Sequence, residues 1–195
     1  QVIAGDLPVM VRVNRAIDIK RAVDLKKEFG IKMILSGATG AWRLASLIAD
    51  ADIPVVVNGF DNLPGGFDTL AATQANAARL HAAGVMVAFT GPDSHNARLA
   101  VQTAGNAVAN GLPWDAALDA LTKNPAKIFG VDDVYGYIRP GYEADLVVWS
   151  GDPIELDSAP EFIMIRGVEQ PLVSRQTKLR DRYKELTAHP AYVRP

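Results

Sequence analysis

The most constraining feature of the sequence is an alternation of short apolar runs with longer amphipathic segments over its first 110 residues. Four valine- and isoleucine-rich runs predict strands, at residues 8–14, 31–35, 53–57 and 85–90. The segments that follow them predict helices, at residues 17–29, 41–51, 67–83 and about 97–110. Largely apolar strands are buried on both faces, and intervening helices supply the crossovers between parallel neighbours. The pattern therefore predicts an α/β fold built from four βα units.

A different pattern begins after residue 111. The strings WDAALDALTK and NPAKIFG predict two short helices, and Asn124 is suited to cap the second because Pro125 favours the first helical position. Residues 135–149 predict a hairpin that turns at Pro140–Gly141, and residues 162–173 predict a strand pair that turns near Gly167. The charged segment 174–186 predicts a helix that lies on the surface or against a partner.

Composition excludes several classes of function. Apolar residues make up 49% of the chain, the formal net charge is −2, and there is no cysteine. We therefore expect no nucleic-acid partner, no disulfide and no thiolate chemistry. No apolar run approaches the roughly 20 residues that span a bilayer, so we expect no membrane segment. The lack of cysteine favours a cytoplasmic location, although a periplasmic one stays open.

Four βα units leave two architectures open. A (β/α)₈ barrel takes about 250 residues, and an open half would leave two unpaired sheet edges. The sequence begins at Gln1 within an ordinary globular pattern. We therefore expect a missing N-terminal half, or a partner chain, to close the barrel, and we expect the isolated half to associate as a homo-oligomer. The alternative is a doubly wound sheet, and periodicity alone does not decide between them.

The string GLPWDAALDALTKNPAKIFGVDDVYGYIRPGYEADLVVWSGDPIE, followed by IMIRG, favours the barrel. It resembles the C-terminal signature of the amidohydrolase superfamily, in particular its imidazolonepropionase- and prolidase-type members. The resemblance implies the C-terminal half of a (β/α)₈ TIM-type barrel plus strands of a small β-sandwich. Residues 1–130 would be strands five to eight with their helices, 131–173 the sandwich part, and 174–195 a C-terminal helix and tail.

The same resemblance implies hydrolysis of carbon–nitrogen bonds in small amides or cyclic amides by metal-activated water. Asp93, after the fourth strand, would be a metal ligand and the general base, and His95 is a second candidate ligand. Zinc is the expected divalent ion. The family's histidine positions on strands five and six are held here by Asn14 and Gly37, neither of which suits zinc.

Loops after the strands supply the candidate substrate contacts, namely Asn14, Arg15, Asn58 and Asp61. His81, inside a predicted helix, and His189, in the tail, are interpreted as surface residues. The substitutions at the two histidine positions favour an alternative, a catalytically degenerate barrel that acts as a binding or subunit protein and needs no metal. A doubly wound nucleotide-binding domain is a further alternative, but no phosphate-binding glycine loop follows any strand.

Overall fold

Four parallel strands form the central sheet of the computed structural model, which describes residues 1–91 and 94–184. They are hydrogen-bonded in chain order as β1 (Val9–Val13), β2 (Met33–Gly37), β3 (Val55–Val57) and β4 (Val87–Phe89). Each is followed by a helix, in order α1 (Ala16–Phe29), α2 (Ala45–Asp50), α3 (Asn76–Ala82) and α4 (Ala100–Ala109). The predicted α/β arrangement of four βα units is confirmed.

The two faces of this sheet differ. The outer face packs against the helices, and its core includes Leu35, Val55 and Val57 with Ile19 of α1 and Ile48 of α2. The opposite, inner face carries a much smaller cluster, made by Ile34, Val56 and Ala88 together with Ile128. Side chains alternate along a strand, and Arg12 is in register with Ser36, which is in register with Val56. Arg12 therefore belongs to the inner face.

Helix α1 shows how local sequence specifies these units. Ile19, Ala22 and Val23 are buried at helical spacing, which directs one face of α1 to the sheet. The helix ends where Gly30 adopts a left-handed conformation, with φ 64°, and its N–H donates to the Lys26 carbonyl. A left-handed residue is a common helix stop, and glycine adopts it without steric cost, so the predicted end of α1 is confirmed.

The predicted helix 67–83 is wrong in its first half. Only a 3₁₀ turn at Phe67–Thr69 precedes α3, and the intervening residues are not helical. Trp42 Nε1 donates to the Ala71 carbonyl at 2.9 Å, and Thr73 Oγ1 accepts from the Ala75 N–H at 3.3 Å. The Ala71 carbonyl and the Ala75 N–H are thus bonded to side chains rather than to the backbone partners of a helix. Trp42 belongs to a distant part of the chain.

In the described part of the chain, the remaining elements form a small second sheet and three helices. Helices α5 (Trp114–Leu121) and α6 (Lys123–Ile128) precede antiparallel strands β5 (Leu146–Trp149), β6 (Pro160–Ile165) and β7 (Val168–Glu169), and α7 (Arg175–Tyr183) follows. The predicted turn near Gly167 is confirmed, since Arg166 and Gly167 both have positive φ between β6 and β7. Among the residues with described structure, no helix is long and apolar enough to cross a membrane.

Two local predictions in this part are wrong. The hairpin 135–149 does not form, because β5 pairs with β6, whereas residues 135–145 fold into turns. Pro140–Gly141 does make a type II turn, with Gly141 at φ 88° and the Tyr142 N–H bonded to the Arg139 carbonyl. Asn124 does not cap α6, because the helix begins at Lys123, one residue before Asn124. The Nδ2 of Asn124 instead donates to the Val87 carbonyl of β4 at 2.8 Å.

Candidate functional site

A cleft of about 460 Å³ opens where β1 and β2 end, beside the long loop that follows β3. Its polar lining residues are Arg12, Asn14, Thr39, Asp61, Asp68 and Thr69. Leu63, Phe67 and Ala72 add apolar surface, and Gly37, Gly65 and Gly66 complete the lining. Ligand sites in parallel α/β folds lie at the carboxyl ends of the strands, because the loops there converge. The cleft is therefore the candidate functional site.

Asn14 and Gly37, the two positions where the resemblance implies histidines, lie side by side in this cleft. Gly37 has φ 74°, and a Cβ built on it would lie 2.9 Å from Asn14 Oδ1. The carboxamide of Asn14 thus occupies the space that any side chain at position 37 would need. The two residues form adjoining parts of the cleft wall, and of the two only Asn14 contributes a side chain.

Arg12 is a cleft residue that the sequence reasoning missed. It lies two residues before Asn14 on the same face of β1 and is exposed. Among the described residues, no carboxylate forms an ion pair with its guanidinium. The signal that could have found it is the two-residue period of a strand, which puts Arg12 and Asn14 on one side of the sheet.

Asp61 faces the cleft from the loop after β3 and is held there by Asn58. Asn58 Nδ2 donates to Asp61 Oδ1 at 3.2 Å, and Asn58 Oδ1 accepts from the Phe60 N–H at 3.1 Å. Burial raises the pKa of Asp61 above its ordinary value, although the positive charge of Arg12 and the hydrogen bond from Asn58 both act to lower it. The predicted residues Asn58 and Asp61 are therefore brought together, and Asp61 lines the same cleft as Arg12 and Asn14.

Thr39 lies in the wall of the cleft with an unsatisfied hydroxyl. The residue is 4% exposed, and its Oγ1 has no hydrogen-bond partner among the described residues. A buried polar group without a partner costs about 1–3 kcal/mol. Such groups are uncommon in folded proteins, and this one coincides with the candidate site.

The other candidates lie apart from the cleft or cannot be placed. Arg15 is exposed and forms long ion pairs with Asp18 at 3.8 Å and with Asp68, a cleft residue, at 3.9 Å. His95 is exposed in a 3₁₀ turn, with its ring 3.1 Å from Asn96 Nδ2, and does not line the cleft.

Asp93 and His189 lie outside the described residues. His81 is exposed on α3, as predicted.

The cleft does not by itself fit a zinc ion. In the part of the chain that the structure describes, no three His, Cys, Asp or Glu side chains are grouped as metal ligands. Asp61 and Asn14 offer carboxylate and amide oxygens, which suit hard cations, whereas zinc sites in proteins rely on histidine or cysteine. The positive charge of Arg12 further disfavours a second cation beside it.

Comparisons with known proteins identify the fold. The solved structure of an amidohydrolase from Thermotoga maritima MSB8 is 34% identical, with a TM-score of 0.80 over 86% of this chain and 44% of that one. A Xaa-Pro dipeptidase with bound methionine in its active site is 21% identical, with a TM-score of 0.66 over 84% of this chain and 45% of its own. An adenosine deaminase from Xanthomonas campestris with bound zinc is 20% identical, with a TM-score of 0.62 over 92% and 50%. The last two show similarity of fold alone.

Sequence comparison leads to the same family. Amidohydrolase tasK of Hapsidospora irregularis is 39% identical over 75 residues, which are 38% of this chain and 8% of that protein. The chain thus spans less than half the length of this relative and of the Thermotoga amidohydrolase. The α/β half-barrel expected from the sequence is confirmed by its similarity to amidohydrolase TIM barrels. The sequence model of the amidohydrolase family matches residues 17–177, and the chain belongs to that family.

Proposed function

We propose that the protein formed with this chain hydrolyses carbon–nitrogen bonds in small amides or cyclic amides, and that the cleft of Arg12, Asn14 and Asp61 is its substrate site. The observation that carries this proposal is the family match over residues 17–177, together with a cleft at the carboxyl ends of the strands. Catalytic groups in barrels of this kind come from those strand ends.

Three residues of this chain have separate roles in the proposal. Asn14 and Asp61 supply an amide and a carboxylate that can orient a substrate amide by hydrogen bonds, and Asn58 holds Asp61 in place. A divalent ion would need Asp93 and donors beyond the described cleft residues, and would supply Lewis-acid activation of water. Since the chain spans 44% of the similar Thermotoga structure, we propose that the rest of a barrel, in the same or a partner chain, completes the site.

The test is hydrolysis by the purified protein of a panel of N-acyl amino acids, dipeptides and cyclic amides, followed by detection of the released amine or acid. We expect turnover that is lost on chelation, restored by zinc, and lost in Asp93→Asn. Asp24→Asn is the matched control, because Asp24 is an exposed helix residue paired with Lys20. A protein that cleaves nothing in the panel with zinc bound would contradict the proposal.

A second candidate function is a binding or subunit protein without catalysis. The specific observation in its favour is the wall formed by Asn14 and Gly37, where the Asn14 carboxamide fills the space for a side chain at position 37. Metal analysis separates the two candidates. Absence of stoichiometric metal, together with ligand binding but no turnover, would favour the binding protein.

A further inference from the structure

We propose that Arg12 binds the carboxylate of the ligand, and that the cleft selects amides carrying a free carboxylate and an apolar side chain, such as N-acyl amino acids. This inference rests on the proposed function in one respect, because it takes the cleft as the substrate site. It adds the chemical class of the substrate and assigns a binding role to a residue outside the predicted set.

Arg12 places a positive charge in the cleft. Its guanidinium lines the cleft from the inner face of β1 and forms no ion pair with a described carboxylate. A guanidinium is always protonated at physiological pH and pairs with carboxylates through two parallel hydrogen bonds. The nearby Asn14 amide can donate a further hydrogen bond to the same group.

Asp61 places a hydrogen-bond acceptor in the same cleft. Its carboxylate faces the same cleft and is held by Asn58, so it presents a fixed acceptor. Both side chains line the same cleft, and the positive charge of Arg12 acts to lower the pKa of Asp61. A ligand that places a carboxylate at Arg12 can therefore present a nearby N–H donor to Asp61. An N-acyl amino acid carries both groups on the same carbon.

Part of the rim of the cleft is apolar. Leu63 and Phe67 are 81% and 91% exposed and lie in the loop that lines the cleft. Large apolar side chains this exposed are typical of binding surfaces when they are grouped. Leu70 extends the same apolar surface and is 66% exposed. An apolar side chain on the ligand would cover this rim, and the cleft's volume falls within the usual range for small-molecule sites.

The experiment compares N-acetyl-L-leucine with N-acetyl-L-leucinamide, which differ only in the carboxylate. Binding is measured by isothermal titration calorimetry on the purified protein after chelation, so that a metal cannot supply the carboxylate contact. We expect the acid to bind about 10-fold or more tightly than the amide, because a charge-assisted hydrogen bond contributes about that much. The preference should decrease as salt is raised.

Variants assign the preference to one residue. Arg12→Gln should bring the two affinities to parity, and Arg12→Lys should keep part of the preference. The matched control is Arg21→Gln, an exposed arginine on α1 that does not line the cleft, and it should leave the preference unchanged. Phe67→Ser should weaken both ligands by similar factors. Thermal melts verify that each variant is folded.

Three results would overturn the inference: no binding of either ligand, equal affinities in the unsubstituted protein, or a preference that survives in Arg12→Gln. Because the readout is binding to metal-free protein, it is independent of turnover. A carboxylate preference without any hydrolysis would support the role of Arg12 and contradict the catalytic proposal. Hydrolysis of uncharged amides without a carboxylate preference would support the catalytic proposal and contradict the role of Arg12.

Discussion

Replacing Gly59 by alanine should destabilise the protein severely, because the backbone of α4 lies directly against it. Gly59 is buried in the loop after β3, between Asn58 and Phe60 in the sequence. A Cβ built on it would lie 2.4 Å from the Thr103 carbonyl oxygen and 3.0 Å from Thr103 Cγ2. Ordinary carbon–oxygen contacts are about 3.3–3.6 Å, so the loop and the helix would have to separate by roughly 1 Å.

Such a separation is costly because Thr103 is fully buried and belongs to a helix. Overpacking in a well-packed interior costs about 1–3 kcal/mol, and a backbone contact places Gly59→Ala in the upper half of that range, about 2–3 kcal/mol. For a chain of this size the midpoint of thermal unfolding should fall by about 4–12 °C. The Asn58–Asp61 pair should be displaced with the loop.

The assay is urea and thermal unfolding of the alanine variants at Gly59 and Gly65. Gly65 lies in the same loop and has open space around its Cβ position. It should therefore tolerate alanine within about 1 kcal/mol, with the smaller unfolded-state entropy acting in favour of folding. Equal unfolding free energies for the two variants would show that the contact with Thr103 does not restrict position 59, because both variants replace glycine by the same residue in one loop.

Three further substitutions test other contacts. Asn124→Ala removes the bond to the Val87 carbonyl and should cost about 1–2 kcal/mol in urea unfolding. Because Asn124 does not cap α6, the variant should keep its helical circular dichroism signal; a loss of that signal through fraying of α6 would indicate a capping role. Thr39→Val removes the hydroxyl without a described partner and should be neutral or stabilising in the absence of ligand; a clear loss of stability would show that the hydroxyl has a partner. Burial raises the pKa of Asp61 above 3.8, so folding favours its neutral form and the wild type loses stability as pH rises through the folded pKa. Asp61→Asn should therefore be more stable than wild type at pH 7, with the difference vanishing below pH 3.8 in urea titrations; a difference independent of pH would contradict this.

Local patterns were sufficient for much of the fold. The strand β3 and the helix α1 follow from short-range features, namely a run of apolar residues, the spacing of Ile19 and Val23, and the stop at Gly30. The type II turn at Pro140–Gly141 also follows from two residues. Prediction fails where a distant side chain forms a hydrogen bond with the backbone, as Trp42 does with the Ala71 carbonyl. Strand pairing is likewise non-local, and β5 pairs with β6 rather than with the segment before it.

The same distinction between local pattern and non-local packing applies to the candidate site. Patterns in the amino-acid sequence are sufficient to predict the order of the βα units, the family signature after residue 111, and the strand-end positions of Asn14, Asn58 and Asp61. Three further features depend on the packing of the folded chain: Arg12 lines the cleft, Asn14 fills the space beside Gly37, and Arg15 lies outside the cleft. The physical reason is that periodicity specifies which face a side chain takes, whereas the packing of a sheet with its loops decides which faces meet.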